Sequence, residues 1–366
     1  MWKVELDAPN VGLLEAEYII RAIRENYLST YGPYVPEFEE KFAEYIGVNR
    51  AVSVQSGTAG LHIALYELGI GKGDEVIVPA TSFIATANPI LYVGAKPVFV
   101  DVDPLTWTID VDKLKEAITS RTKAIIPVHI YGVPAKMDAI LEMARERDIY
   151  VIEDATESLG AVYKGKMTGA WGDIGVFSFN GNKVITTGGG GMVTLNDEKR
   201  ADHIKFLVNQ ARDASKGYFH PEMGFNYRMT NLEASLGLAQ MERLPEFLEK
   251  KRRFREIYKE LLGDVLTFQE AYDESNPSWW LTSVLLPEGV DVAEFQARLR
   301  EEGIPTRRIF YPMPCMPYFE GEDACGRYPV AMDIYRRGLN LPSSTLNSEE
   351  DIRWVAGMIR EILEKI

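Results

Sequence analysis

The sequence predicts an α/β fold with a mostly parallel sheet and a smaller C-terminal α+β unit, and three observations carry that reading. From residue 51 to about 180, short runs rich in β-branched residues alternate with helical patterns, the rhythm of strand–helix crossovers. Those strand-like runs are apolar throughout rather than alternating, as strands covered by helices on both faces are. Beyond Asn231 the rhythm changes to one long helical pattern followed by isolated strands and helices. With 366 residues the chain is long for one small core and short for three domains, so a large domain over 1–246 and a small one over 247–366 are expected.

In chain order, "AVSV" is followed by the helical "LHIALYEL", "EVIVPA" by "ATANPILYV", "KPVFVDVD" by "VDKLKEAI" and "KAIIPVHI" by "MDAILEMARER"; "YVIEDA" and "GVFSF" complete the set. After a run of four glycines, "GMVTLND" leads into a helix expected at 198–211, and a charge-laced helix from Asn231 to Leu262 leaves the large domain. "WWLTSVLL" reads as a strand, "DVAEFQARLREEG" as a helix stopped by glycine, and "SEEDIRWVAGMIREILEKI" as a final helix with a serine cap and an acidic first turn. The prolines of "RIFYPMPCMPYF" remove donors and fix φ, so this segment is a loop or extended chain.

Composition narrows the functions. With 40 basic and 54 acidic side chains the net charge is −14, which disfavours nucleic acid and anionic membranes as partners, and the cluster Lys250, Lys251, Arg252, Arg253 reads as a solvated helix face. Two cysteines, Cys315 and Cys325, and four histidines without CxxC or HExxH predict neither a disulfide framework nor a metal site. The opening "MWKVELDAPNVG" lacks a secretory pattern and no apolar run approaches membrane-spanning length, so a cytoplasmic location is expected. Gly69, Gly71 and Gly73 precede a strand, whereas a dinucleotide loop must follow one.

Chemistry concentrates around "SFNGNKVITTGGGG" (178–191), where Lys183 stands between a polar approach and four glycines. Consecutive glycines cost backbone order and are used where side chains would obstruct or φ must be positive. Three more stretches lie just beyond expected strand ends, where open α/β sheets bind ligands: "SGTAG" (56–60), "TSF" (81–83) and "EDATES" (153–158). "SGTAG" opens a helix, so its N–H groups with the hydroxyls of Ser56 and Thr58, joined by Ser178, can receive a phosphate; plain N-capping is the simpler role of Ser56 alone. Asp154 delivers a carboxylate from an apolar strand, for a cationic partner such as a protonated ring nitrogen or as a structural cap or salt bridge. Phe83 serves as a stacking surface or as core. Phosphate cradle, stacking aromatic, ring-nitrogen acid and amine are together the needs of pyridoxal 5′-phosphate.

These residues, with "STYGPYVPEFEEKFAEYIG", "GDEVIVPATSFIATANPI", "VIEDATESLGAVYKGK" and "GFNYRMTNLEASLGLAQMERL", make nearly the whole chain resemble the DegT/DnrJ/EryC1/StrS aminotransferases, pyridoxal-phosphate enzymes of fold type I that act on nucleotide-linked keto sugars. The resemblance implies a seven-stranded-type sheet between helices, Lys183 carrying the cofactor as an aldimine, Asp154 on the pyridine nitrogen, and Phe83 stacked on the ring. It further implies Gly57, Thr58 and Ser178 on the phosphate, Glu157 near the ring hydroxyl, and Asn226 reaching the phosphate from the neighbouring subunit of a homodimer with shared active sites. The implied reaction is ping-pong transfer of an amino group from an amino acid, glutamate foremost, to a nucleotide-linked 4-keto-6-deoxyhexose for surface polysaccharide. Parts of the chain resemble the perosamine-forming branch, and "NGNKVITTGGGG" the branch making UDP-4-amino-4,6-dideoxy-N-acetylhexosamines. Two positions depart from common family patterns: Gly188–Gly191 are all glycine where many relatives carry Gly-Glu-Gly-Gly, and Pro314 stands where perosamine-type relatives often have histidine. A sugar dehydratase of this fold would replace the lysine with histidine; a silent regulatory homologue would bind no cofactor.

Overall fold

The structure is a computed structural model and describes residues 2–365. The strands of its first two thirds are β1 (Arg50–Val54), β2 (Glu75–Pro79), β3 (Lys96–Val100), β4 (Thr122–Ile125), β5 (Tyr150–Asp154), the short pair β6 (Val162–Tyr163) and β7 (Lys166–Met167), β8 (Ile174–Ser178) and β9 (Gly191–Leu195). Seven of them form one sheet in the order β1-β9-β8-β5-β4-β2-β3. All run parallel except β9, which opposes both of its neighbours, so the mostly parallel sheet expected from the sequence is present.

The continuous apolar character of the strands has a direct structural cause. On β2, Val76 and Val78 enter one hydrophobic core while Ile77 enters another on the opposite face, and all three are fully buried. Helices α1 (Leu13–Arg24), α2 (Tyr34–Ile46) and α3 (Gly57–Glu67) lie on the first face; α4 (Asn88–Tyr92) follows β2, and α5 (Val111–Ala117) and α6 (Met137–Arg145) cover the second. Burying such a side chain contributes roughly 1.5–3 kcal/mol, so a polar residue on either face would be costly. The helix expected at 198–211 is α7 (Glu198–Val208); it stops because Gln210 and Ala211 take positive φ.

Helix α8 (Asn231–Leu262) is 32 residues long, about 48 Å at the usual rise, and starts with a capping box between Thr230 and Glu233. Its residues Leu238, Leu244, Phe247 and Leu248 belong to the first core, whereas Phe254, Ile257, Tyr258 and Leu262 belong to a second. The residue 246/247 boundary thus falls inside one continuous helix. The second core is built on the antiparallel sheet β10-β12-β14-β13, from β10 (Thr267–Phe268), β12 (Thr282–Leu285), β13 (Arg307–Arg308) and β14 (Gly338–Leu341), while β11 (Ser275–Asn276) pairs with β6. Helices α9 (Val292–Glu301), α10 (Pro329–Arg337) and α11 (Glu349–Leu363) complete the chain. Val4, near the chain start, also sits in the second core.

Three local expectations change. Within "WWLTSVLL" only Thr282–Leu285 is strand, because Trp279 has φ +47° and the chain turns there. Lys251 is not on a solvated face: it is 5% exposed and its Nζ donates to the carbonyls of Trp280 and Ser343, each at 2.9 Å. The proline-rich loop contains a single 3-10 turn, Met313–Cys315, and Cys315 is joined to Cys325 by a disulfide that the sequence did not lead one to expect.

Candidate active site

A cavity of about 660 Å³ opens at the carboxyl ends of β1, β5 and β8. Parallel strands that enter from the same side release their following loops at one edge, which is why residues far apart in sequence meet there. Ser56, Gly57, Thr58, Phe83, Asp154, Glu157, Ser178 and Lys183 all line it.

Asp154 ends β5 and is 3% exposed. Its Oδ2 accepts from the Thr86 hydroxyl at 2.6 Å, and its Oδ1 from the Thr156 hydroxyl at 2.7 Å and the Thr156 N–H at 3.2 Å. Ser82 Oγ lies 2.8 Å from Thr86 Oγ1 and orients it in turn. No cation pairs with this carboxylate among the described residues, although burial demands one or several donors.

Lys183 is held by what surrounds it rather than by hydrogen bonds. Its side chain is 14% exposed, its Nζ is 3.7 Å from Glu157 Oε1, and it lies 4.0 Å from the centre of the Trp280 ring. Burial lowers its pKa from the ordinary lysine value; the negative charges of Glu157 and Asp154 oppose that shift and the positive charge of Arg307 adds to it. Glu157 is itself pushed up by burial, countered by Lys183 and by the Tyr131 N–H that reaches its Oε2 at 2.9 Å. Trp280 donates its indole N–H to the carbonyl of Asn182 at 2.7 Å, so one ring fixes both the lysine's neighbour and the lysine's amine.

The glycines have distinct geometric duties. Gly190 has φ +98°, which L side chains rarely adopt, and a Cβ on Gly191 would sit 2.7 Å from the Ser56 carbonyl carbon and 2.8 Å from the Gly57 nitrogen. The run therefore lets β9 approach the start of α3, whose N-cap Ser56 accepts from the Ala59 N–H at 3.1 Å. The first-turn N–H groups and the Thr58 and Ser178 hydroxyls face the same cavity as Lys183, an anion cradle at the positive helix end. Phe83 is 55% exposed at the mouth, 5.8 Å ring to ring from Phe310. Asn226 is exposed and lies away from this chain's own cavity.

Thr86, Thr156, Trp280, Arg307 and Phe310 also line the site without having been singled out from the sequence. Thr156 lies inside the "EDATES" stretch and Thr86 three residues beyond "TSF", and those positions are a usable signal. Trp280, Arg307 and Phe310 come from the C-terminal third and had none.

The chain matches the DegT/DnrJ/EryC1/StrS aminotransferase family over residues 11–360. It is 42% identical over 366 residues to the GDP-perosamine synthase of Caulobacter vibrioides, covering 99% of this chain and 98% of that one. It is 40% identical over 353 residues to the GDP-perosamine synthase of Escherichia coli O157:H7, covering 96% of each. The sugar aminotransferase Spr1654 of Streptococcus pneumoniae in its PLP form, described as putative, superposes with a TM-score of 0.94 at 27% identity, covering 99% of both chains. A lysine and a buried carboxylate on one cavity wall, in a chain that matches this family from end to end, lead to one conclusion: the chain belongs to the DegT/DnrJ/EryC1/StrS aminotransferase family, sugar aminotransferases that depend on pyridoxal 5′-phosphate.

Proposed function

We propose that the chain transfers an amino group from L-glutamate to a nucleotide-linked 4-keto-6-deoxyhexose by ping-pong chemistry, in the cytoplasm, as a homodimer, for deoxyaminosugar synthesis. The observation that carries this reading is the Lys183 amine, in hydrogen bond with no oxygen among the described residues, set in one cavity with the buried Asp154 carboxylate that no cation among them pairs. Both groups keep capacity for a further partner beyond Glu157 and the threonine donors, and pyridoxal phosphate offers an aldehyde to one and a ring nitrogen to the other. The glycine-floored cradle of Ser56, Gly57, Thr58 and Ser178 suits the phosphate, where a Cβ on Gly57 would lie 3.0 Å from Ser178 Cβ and Thr156 Cγ2.

When bound, the cofactor supplies an electron sink for the carbon that loses its proton. Asp154 holds a proton on the ring nitrogen, oriented by Thr86 and Thr156. Lys183 takes the proton from the donor's α-carbon and returns one at the sugar carbon that receives nitrogen; the burial that lowers its pKa keeps a neutral amine on hand. Glu157 would accept from the ring hydroxyl, and at 3.7 Å it moderates the charge of Lys183. Phe83 would cover the ring, and Trp280 and Phe310, which line the same cavity, would keep water from the reacting atoms. Asn226, exposed here, reaches the neighbouring subunit's phosphate, and residues 1–246 act as the large cofactor-binding domain with 247–366 as the small C-terminal one.

Replacing Lys183 with Ala tests the reading: borohydride no longer fixes the cofactor to the protein and turnover disappears, whereas full turnover in that variant refutes it. The pyridoxamine-loaded enzyme, mixed with GDP- and UDP-linked 4-keto-6-deoxyhexoses, identifies the acceptor by its single-turnover rate. A colourless protein that ignores the cofactor would instead be a silent homologue.

A further inference from the structure

A ping-pong transaminase must seat two unlike molecules in one cavity. The donor amino acid brings an α-carboxylate next-but-one to the nitrogen it gives up, whereas the keto sugar brings a neutral ring whose diphosphate lies across the whole pyranose from the reacting carbon. A fixed cation near the lysine helps the first and is left unpaired by the second, at a cost if it is desolvated.

Lys183 and Arg307 are the only cationic side chains on the cavity wall among the described residues. Arg307 is close enough for its charge to bear on both Lys183 and Glu157. It lies on β13, paired with Asn340 of β14, and successive side chains on a strand point to opposite faces. Arg308 accordingly turns away, donating to the Tyr335 carbonyl at 2.8 Å and lying over the Tyr335 ring at 4.7 Å, while Arg307 enters the cavity. Its Nη1 is 2.7 Å from Asp7 Oδ2, the only ion-pair partner it has among the described residues. The same Asp7 oxygen accepts from Asn182 Nδ2 at 3.0 Å, so Asp7 is steadied by the residue next to Lys183. A guanidinium has several N–H donors and can serve a second carboxylate beside the first.

We infer that Arg307 receives the α-carboxylate of the amino donor, and that Asp7 is the resident counter-charge that keeps Arg307 paired while the sugar occupies the cavity. This inference rests on the transaminase reading above and adds to it the residue that admits amino acids. It follows that a carboxylate without an amine, such as glutarate, competes for the donor's place through Arg307.

The test separates the half-reactions of the cofactor-loaded enzyme by stopped-flow absorbance. In Arg307→Gln the apparent Kd for L-glutamate rises by about ten- to a hundredfold, as expected for losing a charge-assisted pair. Glutarate inhibition weakens in parallel, the resting cofactor spectrum is unchanged, and Arg307→Lys recovers part of the loss. The Kd for a GDP- or UDP-linked 4-keto-6-deoxyhexose moves by less than about threefold. Asp7→Asn does the opposite for glutarate and tightens its inhibition several-fold. If Arg307→Gln binds L-glutamate and glutarate like the parent, or weakens the nucleotide sugar instead, the assignment is overturned while the transaminase reading stands. If the parent enzyme binds the cofactor but its spectrum does not respond to L-glutamate, both fall.

Discussion

Two pairs of residues set a structural group beside a chemical one. Glu153 and Asp154 are neighbours at the end of β5 and face opposite sides of the sheet. Glu153, fully buried, accepts the N–H groups of Gly169, Trp171 and Gly172 at 2.6–2.8 Å and meets His129 Nε2 at 3.0 Å. Its bonding capacity is filled by the protein. Asp154 is braced by two hydroxyls and an N–H but has no cation among the described residues. The lysines repeat the contrast. Lys251 is capped by two backbone carbonyls, and burial brings its pKa down to about 8. Lys183 has only an aromatic face at 4.0 Å and a carboxylate at 3.7 Å. Burial alone does not separate the charges proposed to be functional from the structural ones; incomplete partnership among the described residues does.

The largest separation is expected between the two carboxylates. Asp154→Asn should lower single-turnover transamination on the order of 10³-fold with little change in unfolding midpoint. Glu153→Gln should leave turnover within a few-fold but cost about 3 kcal/mol in urea unfolding, because the buried N–H cluster loses its anion. Loss of turnover in both variants would erase the contrast.

For the lysines, Lys251→Met should retain the cofactor spectrum and cost about 2 kcal/mol, since two buried carbonyls lose their donor. It should also change the response to pH. The folded pKa of about 8 lies below the usual lysine value, so between the two the unfolded chain holds the extra proton and stability rises with pH. That alkaline rise should be smaller in Lys251→Met, as urea midpoints at pH 7.5 and 9.5 would reveal. Trp280→Phe, a smaller change, removes the N–H that holds the Asn182 carbonyl and should cost about 1 kcal/mol while shifting the pH dependence of proton transfer by Lys183.

The smallest effect sits outside the cavity. Burial of His203 opposes its charge, but contacts with Glu222 at 3.1 Å and Glu67 at 2.5 Å outweigh burial and raise its pKa. The stability it adds is complete below about pH 6.5 and is lost as pH rises through the elevated folded value. With 42% of the side chain exposed, solvent screening keeps the effect under about 1 kcal/mol, and His203→Gln should flatten the unfolding midpoint over that range.

Much of this site could be read in the sequence because it hangs on strand ends. Ser56, Asp154 and Ser178 each follow an apolar run, and a parallel sheet delivers such positions to one edge. Trp280 was harder to place: it looked like the start of a strand, yet the positive φ of Trp279 swings it into the cavity, a backbone choice that tertiary packing imposes. A basic run on a helix usually faces water, but the rotation of α8 carries Lys251 between two cores, which nothing local in the run signals. Arg307 stood beside Arg308 with nothing local to say which would turn inward.

Residues 5–7 are stitched to segments far along the chain. Asn347 bonds both the N–H and the carbonyl of Glu5, Ser343 donates its N–H to Leu6, and Arg307 grips Asp7. During synthesis these partners emerge hundreds of residues apart, so Asp7 leaves the ribosome long before the segments that hold it. The lysine, the glycine run and the carboxylate can gather early, while the wall built on Asp7 and Arg307 waits for segments that emerge much later.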